Sequence, residues 1–276
     1  MFRLISRFTR GETVAGFGAL AVAIALVLGS AAPGIAQAGG LEAAGRWGGT
    51  IDPEALQVLK GMTDYVGSLQ RFSMHTENTF EDVLATGQKI QFHYSSNVVA
   101  QRPNKLRAER SDGGVSHIFV YDGETLSMYL DEQDFYANVE VPDNLDDFLH
   151  FARDALDLVP PAGDMVFSNA FELLTTGMTS GFVVGKAVID GVSCDHIAFT
   201  TPVVDWQVWV ADGDKPLPYK YVLTTRDDPA QPQSVTLISD WNTDPKIEDG
   251  LFEFGPPSTA TQIEFIRYDV VDASAR

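Results

Sequence analysis

The run from Gly87 to Tyr129 limits the possible folds more sharply than any other stretch. Ile90, Phe92 and Tyr94 alternate with polar residues, as do Leu106 and Ala108, then His117, Phe119 and Tyr121, then Leu126, Met128 and Leu130. Each piece is closed by a turn signal: Thr86-Gly87, Pro103, Asp112-Gly113-Gly114 or Asp122-Gly123. A period of two between such signals describes successive antiparallel strands with one buried face. A meander of this kind must be covered by a second sheet, a helix or a ligand, and what covers it is the question the rest of the chain has to answer.

The flanking sequence supplies candidates. Asp52 and Pro53 suit an N-cap and a first helical position, and Ala55, Leu56, Leu59, Met62, Tyr65, Val66 and Leu69 recur at three and four, which predicts an N-terminal amphipathic helix. From Arg71 the period becomes two, with Phe72, Met74, Thr76, Asn78 and Phe80 on one face. A further strand is predicted from Phe135 to Val141. Helical spacing returns over 143–158, with Leu145, Phe148, Leu149, Ala152 and Leu156 on one stripe, Asp143 as its cap, and Asp146 and Asp147 in its first turn. A second short helix is predicted over 168–175. Five more strands follow, at Phe182 to Ile189, Cys194 to Thr200, Asp205 to Ala211, Tyr219 to Thr225 and Ser234 to Asn242. The expected fold is therefore mainly β with helices (α+β): a half-open antiparallel barrel of about eleven strands, with an N-terminal helix and a mid-chain helical lid. It occupies 51–257 as one domain, followed by a tail or edge strand over 258–276.

The first 38 residues read as a cleaved export signal. Arg3, Arg7 and Arg10 precede an apolar run from Thr13 to Leu28, and Ala36-Gln37-Ala38 is a small-x-small cleavage site. The run is shorter than the roughly 20 residues that span a bilayer. Residues 39–50 read as a flexible leader, and the expected address is the periplasm. Of 19 Lys+Arg and 38 Asp+Glu, removal of this segment leaves 16 bases and 37 acids. That charge repels phosphate backbones and anionic surfaces, so neither a nucleic-acid partner nor a stable membrane anchor is expected. Cys194 is the single cysteine, and a buried, inert thiol is expected.

Catalytic and metal signals are weak. His75, His93, His117, His150 and His196 show no ligand spacing, although the first three sit on different strands that a sheet can bring together. The acids at 143, 146 and 147 lack the calcium-loop glycine, and no nucleophile elbow, P-loop or dinucleotide fingerprint occurs. No cofactor and no enzymatic activity are expected. The aromatic residues are more informative. Phe72, Met74, Phe92, Tyr94, Phe119, Tyr121, Met128, Trp206, Trp209 and Trp241 on strands, with Phe148 and Leu149 on the lid, are candidate walls of an apolar cavity.

Two sets of residues carry a family resemblance. Gln101-Arg102-Pro103-Asn104-Lys105-Leu106-Arg107, followed by Tyr121-Asp122-Gly123-Glu124-Thr125-Leu126 and Tyr129, resembles the lipoprotein-carrier and lipoprotein-localisation (LolA/LolB-like) proteins of Gram-negative bacteria. Asp190-Gly191-Val192, Cys194-x-His196, Trp206-Gln207-Val208-Trp209, Pro216-Leu217-Pro218, Ser239-Asp240-Trp241 and Phe252-x-Phe254 resemble an uncharacterised family of predicted periplasmic proteins in the same superfamily. The resemblance implies a lidded half-barrel that accepts acyl chains, and for Arg102 the role of a latch hydrogen-bonded to lid backbone. The expectation is a periplasmic carrier of lipid, lipoprotein acyl chains or another apolar ligand, with a transient envelope protein as a further partner. The alternatives are an envelope interaction module whose barrel is filled by its own side chains, and an exported hydrolase with a carboxylate site.

Overall fold

A computed structural model describes residues 49–160 and 162–265 of the 276-residue chain. The expected export signal, most of the expected leader and the end of the tail lie outside the described residues. Helix α1 (Pro53–Ser68) opens the fold, with Asp52 accepting the Glu54 amide at 2.8 Å. Six strands follow: β1 (Arg71–Val83), β2 (Lys89–Gln101), β3 (Lys105–Asp112), β4 (Val115–Tyr121), β5 (Thr125–Leu130) and β6 (Phe135–Glu140). Then come α2 (Leu145–Leu156), a 3-10 turn (Gly163–Met165) and α3 (Ala170–Thr175). The second half adds β7 (Ser180–Ile189), β8 (Val192–Thr200), β9 (Val204–Ala211), β10 (Pro218–Thr225), β11 (Gln233–Asn242) and the short β12 (Thr261–Gln262).

All twelve strands form one open sheet, in the order β12-β6-β5-β4-β3-β2-β1-β11-β10-β9-β8-β7. The two meanders join where β1 pairs with β11, for example Asn78 with Thr236. The eleven strands read from sequence are present and antiparallel. The twelfth, β12, pairs with β6 in parallel, so the sheet is mixed. This strand falls at the edge of the sheet within the tail or edge strand expected over 258–276; its parallel pairing depends on a chain crossing that local alternation does not encode.

Register decides which side chains point inward. Phe72 faces Ala100, Met74 faces Val98, Ala100 faces Leu106, and Leu106 faces Tyr121, which faces Leu126. In the other half Tyr221 faces Val208, and Val208 faces Ile197. These inner positions form a single core with Ala55, Leu59, Met62 and Val66 of α1 and with Leu145, Phe148, Leu149, Ala152 and Leu156 of α2. The helices therefore lie in the concavity of a curled sheet, and the stripes read from sequence are the faces they bury. Gly181 permits the closest approach. A Cβ there would stand 2.3 Å from the Phe199 ring, so any side chain would push β7 off β8.

One capping expectation is corrected. Asn144, not Asp143, caps α2, its Oδ1 accepting the Asp147 amide at 2.9 Å. The helix begins one residue later than its acidic cluster suggests. Asp146 and Asp147 still occupy the first turn, where the helix dipole favours them.

Candidate functional site

The candidate site is the concave face and the helices that close it. Phe148 of α2 lies flat on Tyr121 of β4, with ring centroids 4.1 Å apart and planes 9° from parallel. The Tyr121 hydroxyl donates to the Pro142 carbonyl at 2.7 Å. Burial, with Asp143 and Asp122 nearby, pushes its phenol pKa well up, so it remains a neutral donor. Phe72 meets Trp241 at 5.9 Å, and the Trp241 Nε1–H donates to the Pro218 carbonyl at 2.9 Å. Trp206 stacks on Phe199 at 4.4 Å. Within this packing a small cavity of about 10 Å³ lies between Asp164, Leu174, Trp206 and Tyr221. A shallow groove of about 630 Å³ runs between Asn138–Glu140 and Gln262–Phe265, at the β12 edge of the sheet and at the end of the described residues.

Polar contacts hold the helical segment at one seam. Arg102 lies in the turn between β2 and β3, its side chain 11% exposed. Its Nε–H donates to the Leu69 carbonyl at the end of α1 at 3.1 Å, and its Nη2 donates to the Val166 carbonyl ahead of α3. Its Nη1 stands 3.9 Å from Asp146 Oδ1 in the first turn of α2. Burial lowers the Arg102 pKa, and the Asp146 charge offsets part of that. Asp146 in turn accepts the Ser168 amide at 3.1 Å and the Ser168 hydroxyl. One guanidinium thus touches all three pieces of the helical layer. Asp146 was legible in the sequence only as a residue favouring a helix start; its bonds to Ser168 depend on a chain crossing that local spacing does not encode. Next to this turn Gly123 sits at φ 101°, where a Cβ would come within 2.4 Å of Asn104.

The structure sorts the sequence-derived wall residues into three groups. Phe72, Met74, Tyr121, Phe148, Leu149 and Trp206 belong to the core beneath the helices, with Phe119 and Trp241 packed against it. Phe92, Tyr94 and Met128 lie on the same face of the sheet, facing Phe80, Asn78 and Phe119 respectively. Phe92 is 46% exposed because no helix reaches it. Trp209 is on the opposite, convex face. It pairs with Lys220 and His196, stacks on the His196 ring at 3.9 Å and clusters with Cys194 and Val222. Residues 206 and 209 are three apart, and a strand turns such a pair to opposite sides.

The histidines also divide. His75 and His93 meet on the convex face, each with Nε2 at 2.9 Å from one oxygen of Glu77. Glu77 escaped the sequence reading because it belongs to the same strand as His75. His117 belongs to the concave face, opposite Arg110. Among the described residues no group of three or more His, Cys, Asp and Glu is arranged to hold a metal ion. Cys194 is fully buried, and burial raises its thiol pKa, which disfavours a thiolate.

An open sheet curled around short helices, with an apolar concavity and a polar seam, is a half-open barrel with a helical cover. The chain belongs to a family described as predicted periplasmic protein (DUF2092), whose model matches residues 55–266, and the periplasm is its compartment. Among solved structures, it is similar to lipoprotein LppX from Mycobacterium tuberculosis, at 18% identity and TM-score 0.46, over 71% of this chain and 100% of that one. It is similar to LprF from Mycobacterium bovis, at 16% identity and TM-score 0.46, over 73% and 99%. It is also similar to a LolA superfamily protein from Nitrosomonas europaea, at 13% identity and TM-score 0.33, over 72% and 97%. Comparison with curated proteins finds no match.

Proposed function

We propose that this chain is a non-enzymatic periplasmic carrier that receives lipid, lipoprotein acyl chains or a similar apolar ligand against the concave face when α2 and α3 move away. The observation that carries this reading is the composition of the interface beneath α2. Phe148, Leu149, Ala152 and Leu156 stand on an apolar sheet face at positions that acyl carbons can take over. Each buried CH₂ is worth about 0.8 kcal/mol, so a chain of a dozen carbons offsets much of the packing lost on opening. Arg102 acts in this reading as the latch, since it joins the Leu69 carbonyl at the end of α1, which stays, to the Val166 carbonyl and Asp146 on the segment that moves. A transient envelope protein would trigger release or loading.

One observation favours a second reading, an interaction module with a self-filled barrel. Ligand pockets commonly span about 300–1,000 Å³, and the cavity between α3, Trp206 and Tyr221 is about 10 Å³. The carrier reading requires the closed state to be one of two. Native mass spectrometry of the protein taken from its own periplasm, together with uptake of a fluorescent fatty acid, separates the readings. Co-purifying lipid and saturable uptake are expected; absence of both would leave the self-filled module.

A further inference from the structure

The concave face continues beyond the helices. Past Met74 and Val98, its positions on β1 and β2 are Thr76 with Ser96, Asn78 with Tyr94, and Phe80 with Phe92; Arg110 of β3 stands opposite Ser96. Asn78 is 4% exposed and lies between Tyr94 and Thr236. Its amide donates to Thr76 Oγ1 at 2.9 Å, and its Oδ1 has no partner. The Arg110 guanidinium lies 3.9 Å from the centroid of the Tyr94 ring. Its Nη2 donates to Asp112 Oδ2 at 3.3 Å, while its buried Nε–H has no partner. His117 stands opposite Arg110 on β4. Phe80 stacks on Phe92 at 5.4 Å and meets Tyr94 edge-on at 6.1 Å.

Buried polar atoms are nearly always paired, because an unpaired one loses its water without compensation. Here an orphan acceptor and an orphan cationic donor flank the same tyrosine ring. A third such atom, Asp157 Oδ1, belongs to the C-terminal cap of α2 and not to this face. The two orphans are complementary to a group that offers an anionic oxygen beside a hydroxyl or amide hydrogen. Next to them, Phe92, 46% exposed, and the half-buried Phe80 stacked on it offer packing for the first carbons of a chain. Arg110 is already ion-paired with Asp112, so what it still offers an anionic oxygen on the concave face is its unpartnered Nε–H.

We propose that the helix-free end of the concave face is a headgroup site for an anionic amphiphile. The Nε–H of Arg110 donates to an anionic oxygen of the headgroup, Asn78 Oδ1 accepts from its neighbouring hydroxyl or amide, and Phe80 and Phe92 hold the base of its chain. This inference rests on the carrier reading and adds to it a ligand that is polar at one end. The same headgroup chemistry exists without a chain in a free glycerol phosphate.

The test is titration of the mature protein, followed by native mass spectrometry, with phosphatidylglycerol, with uncharged diacylglycerol and with glycerol phosphate. Wild type is expected to prefer phosphatidylglycerol to diacylglycerol by about tenfold or more, the scale of a charge-assisted hydrogen bond. Arg110→Met should abolish that preference and leave diacylglycerol binding unchanged, Asn78→Leu should reduce it, and Arg110→Lys should restore part of it. Equal loss of both lipids in Arg110→Met, or an intact preference, overturns the site. Glycerol phosphate binding as tightly as the lipid makes a small phosphate compound the occupant and overturns it as well. Uptake of both lipids by wild type without preference removes the headgroup site and leaves the carrier; uptake of neither removes both.

Discussion

The two ends of the concave face belong to one sheet and differ in what stands over them. At the end near Pro103, Tyr121 and Leu126 are covered by α2 and fully buried. At the other end, Phe92 of β2 is 46% exposed and stacks on the half-buried Phe80 of β1. The cause is length. Thirteen-residue strands such as β1 and β2 extend about 44 Å, whereas α2, with twelve residues, covers about 18 Å. Alternation therefore specifies an apolar face, but the reach of the helices decides which part of it becomes core.

The sharpest way to break this contrast is to truncate one aromatic at each end. Phe148→Ala removes the ring stacked on Tyr121 and leaves a cavity in the core, and a loss of about 3–5 kcal/mol in unfolding free energy is expected from urea titration. Phe92→Ala, at 46% exposed, should cost under about 1 kcal/mol. Equal losses would mean that the far end is covered in solution after all.

A second pair applies the same contrast to the two faces of the sheet. Trp206, 2% exposed beneath the helices, and Trp209, 8% exposed on the convex face, are buried to similar degrees. Trp206→Ala should cost about 3–5 kcal/mol. Trp209→Ala should cost less, since its partners are His196 and the Lys220 ammonium 4.7 Å from its ring, and it should leave fatty-acid uptake unchanged. Reduced uptake with Trp209→Ala would return that residue to the ligand side.

At the seam, Arg102→Ala strands the Leu69 and Val166 carbonyls and loosens Asp146. Hydrogen bonds from a charged donor are worth about 1.5–3 kcal/mol, so destabilisation of that order is expected. It should be local: amide exchange should accelerate over 145–175 and stay slow in β1 and β11. Uniform acceleration would make Arg102 a general fold support.

The sequence carried the elements well and the ends poorly. Turn signals such as Asp122-Gly123 and Asp190-Gly191 delimit strands because Asp190, Gly123 and Gly191 take positive φ. The face of Trp209 was also legible, since an odd spacing from Trp206 reverses it, and grouping the two by residue type overrode that rule. The exposure of Phe92 was not legible, because it depends on where α2 stops in space. Nor were the orphan atoms of Asn78 and Arg110, which come together only when β1, β2 and β3 are in register. Local period gives the face, while long-range pairing gives the chemistry on it.

The smallest effect concerns the convex and concave histidines. Hydrogen bonds to Glu77 and then Asn97 raise the His75 pKa above 6.5, while burial, ahead of other causes, lowers those of His117 and His196. A raised histidine stabilises the fold fully below 6.5 and loses that contribution as pH rises through its folded value. A lowered one stabilises above 6.5 and loses its contribution as pH falls through its folded value. The unfolding midpoint should therefore decline gently on both sides of 6.5, with His75→Gln flattening only the alkaline limb and His117→Gln reducing only the acid one. Proton-resonance titration of the imidazoles checks the assignment directly. A His75 midpoint below that of His117 would show that the Glu77 clamp does not hold its proton in solution.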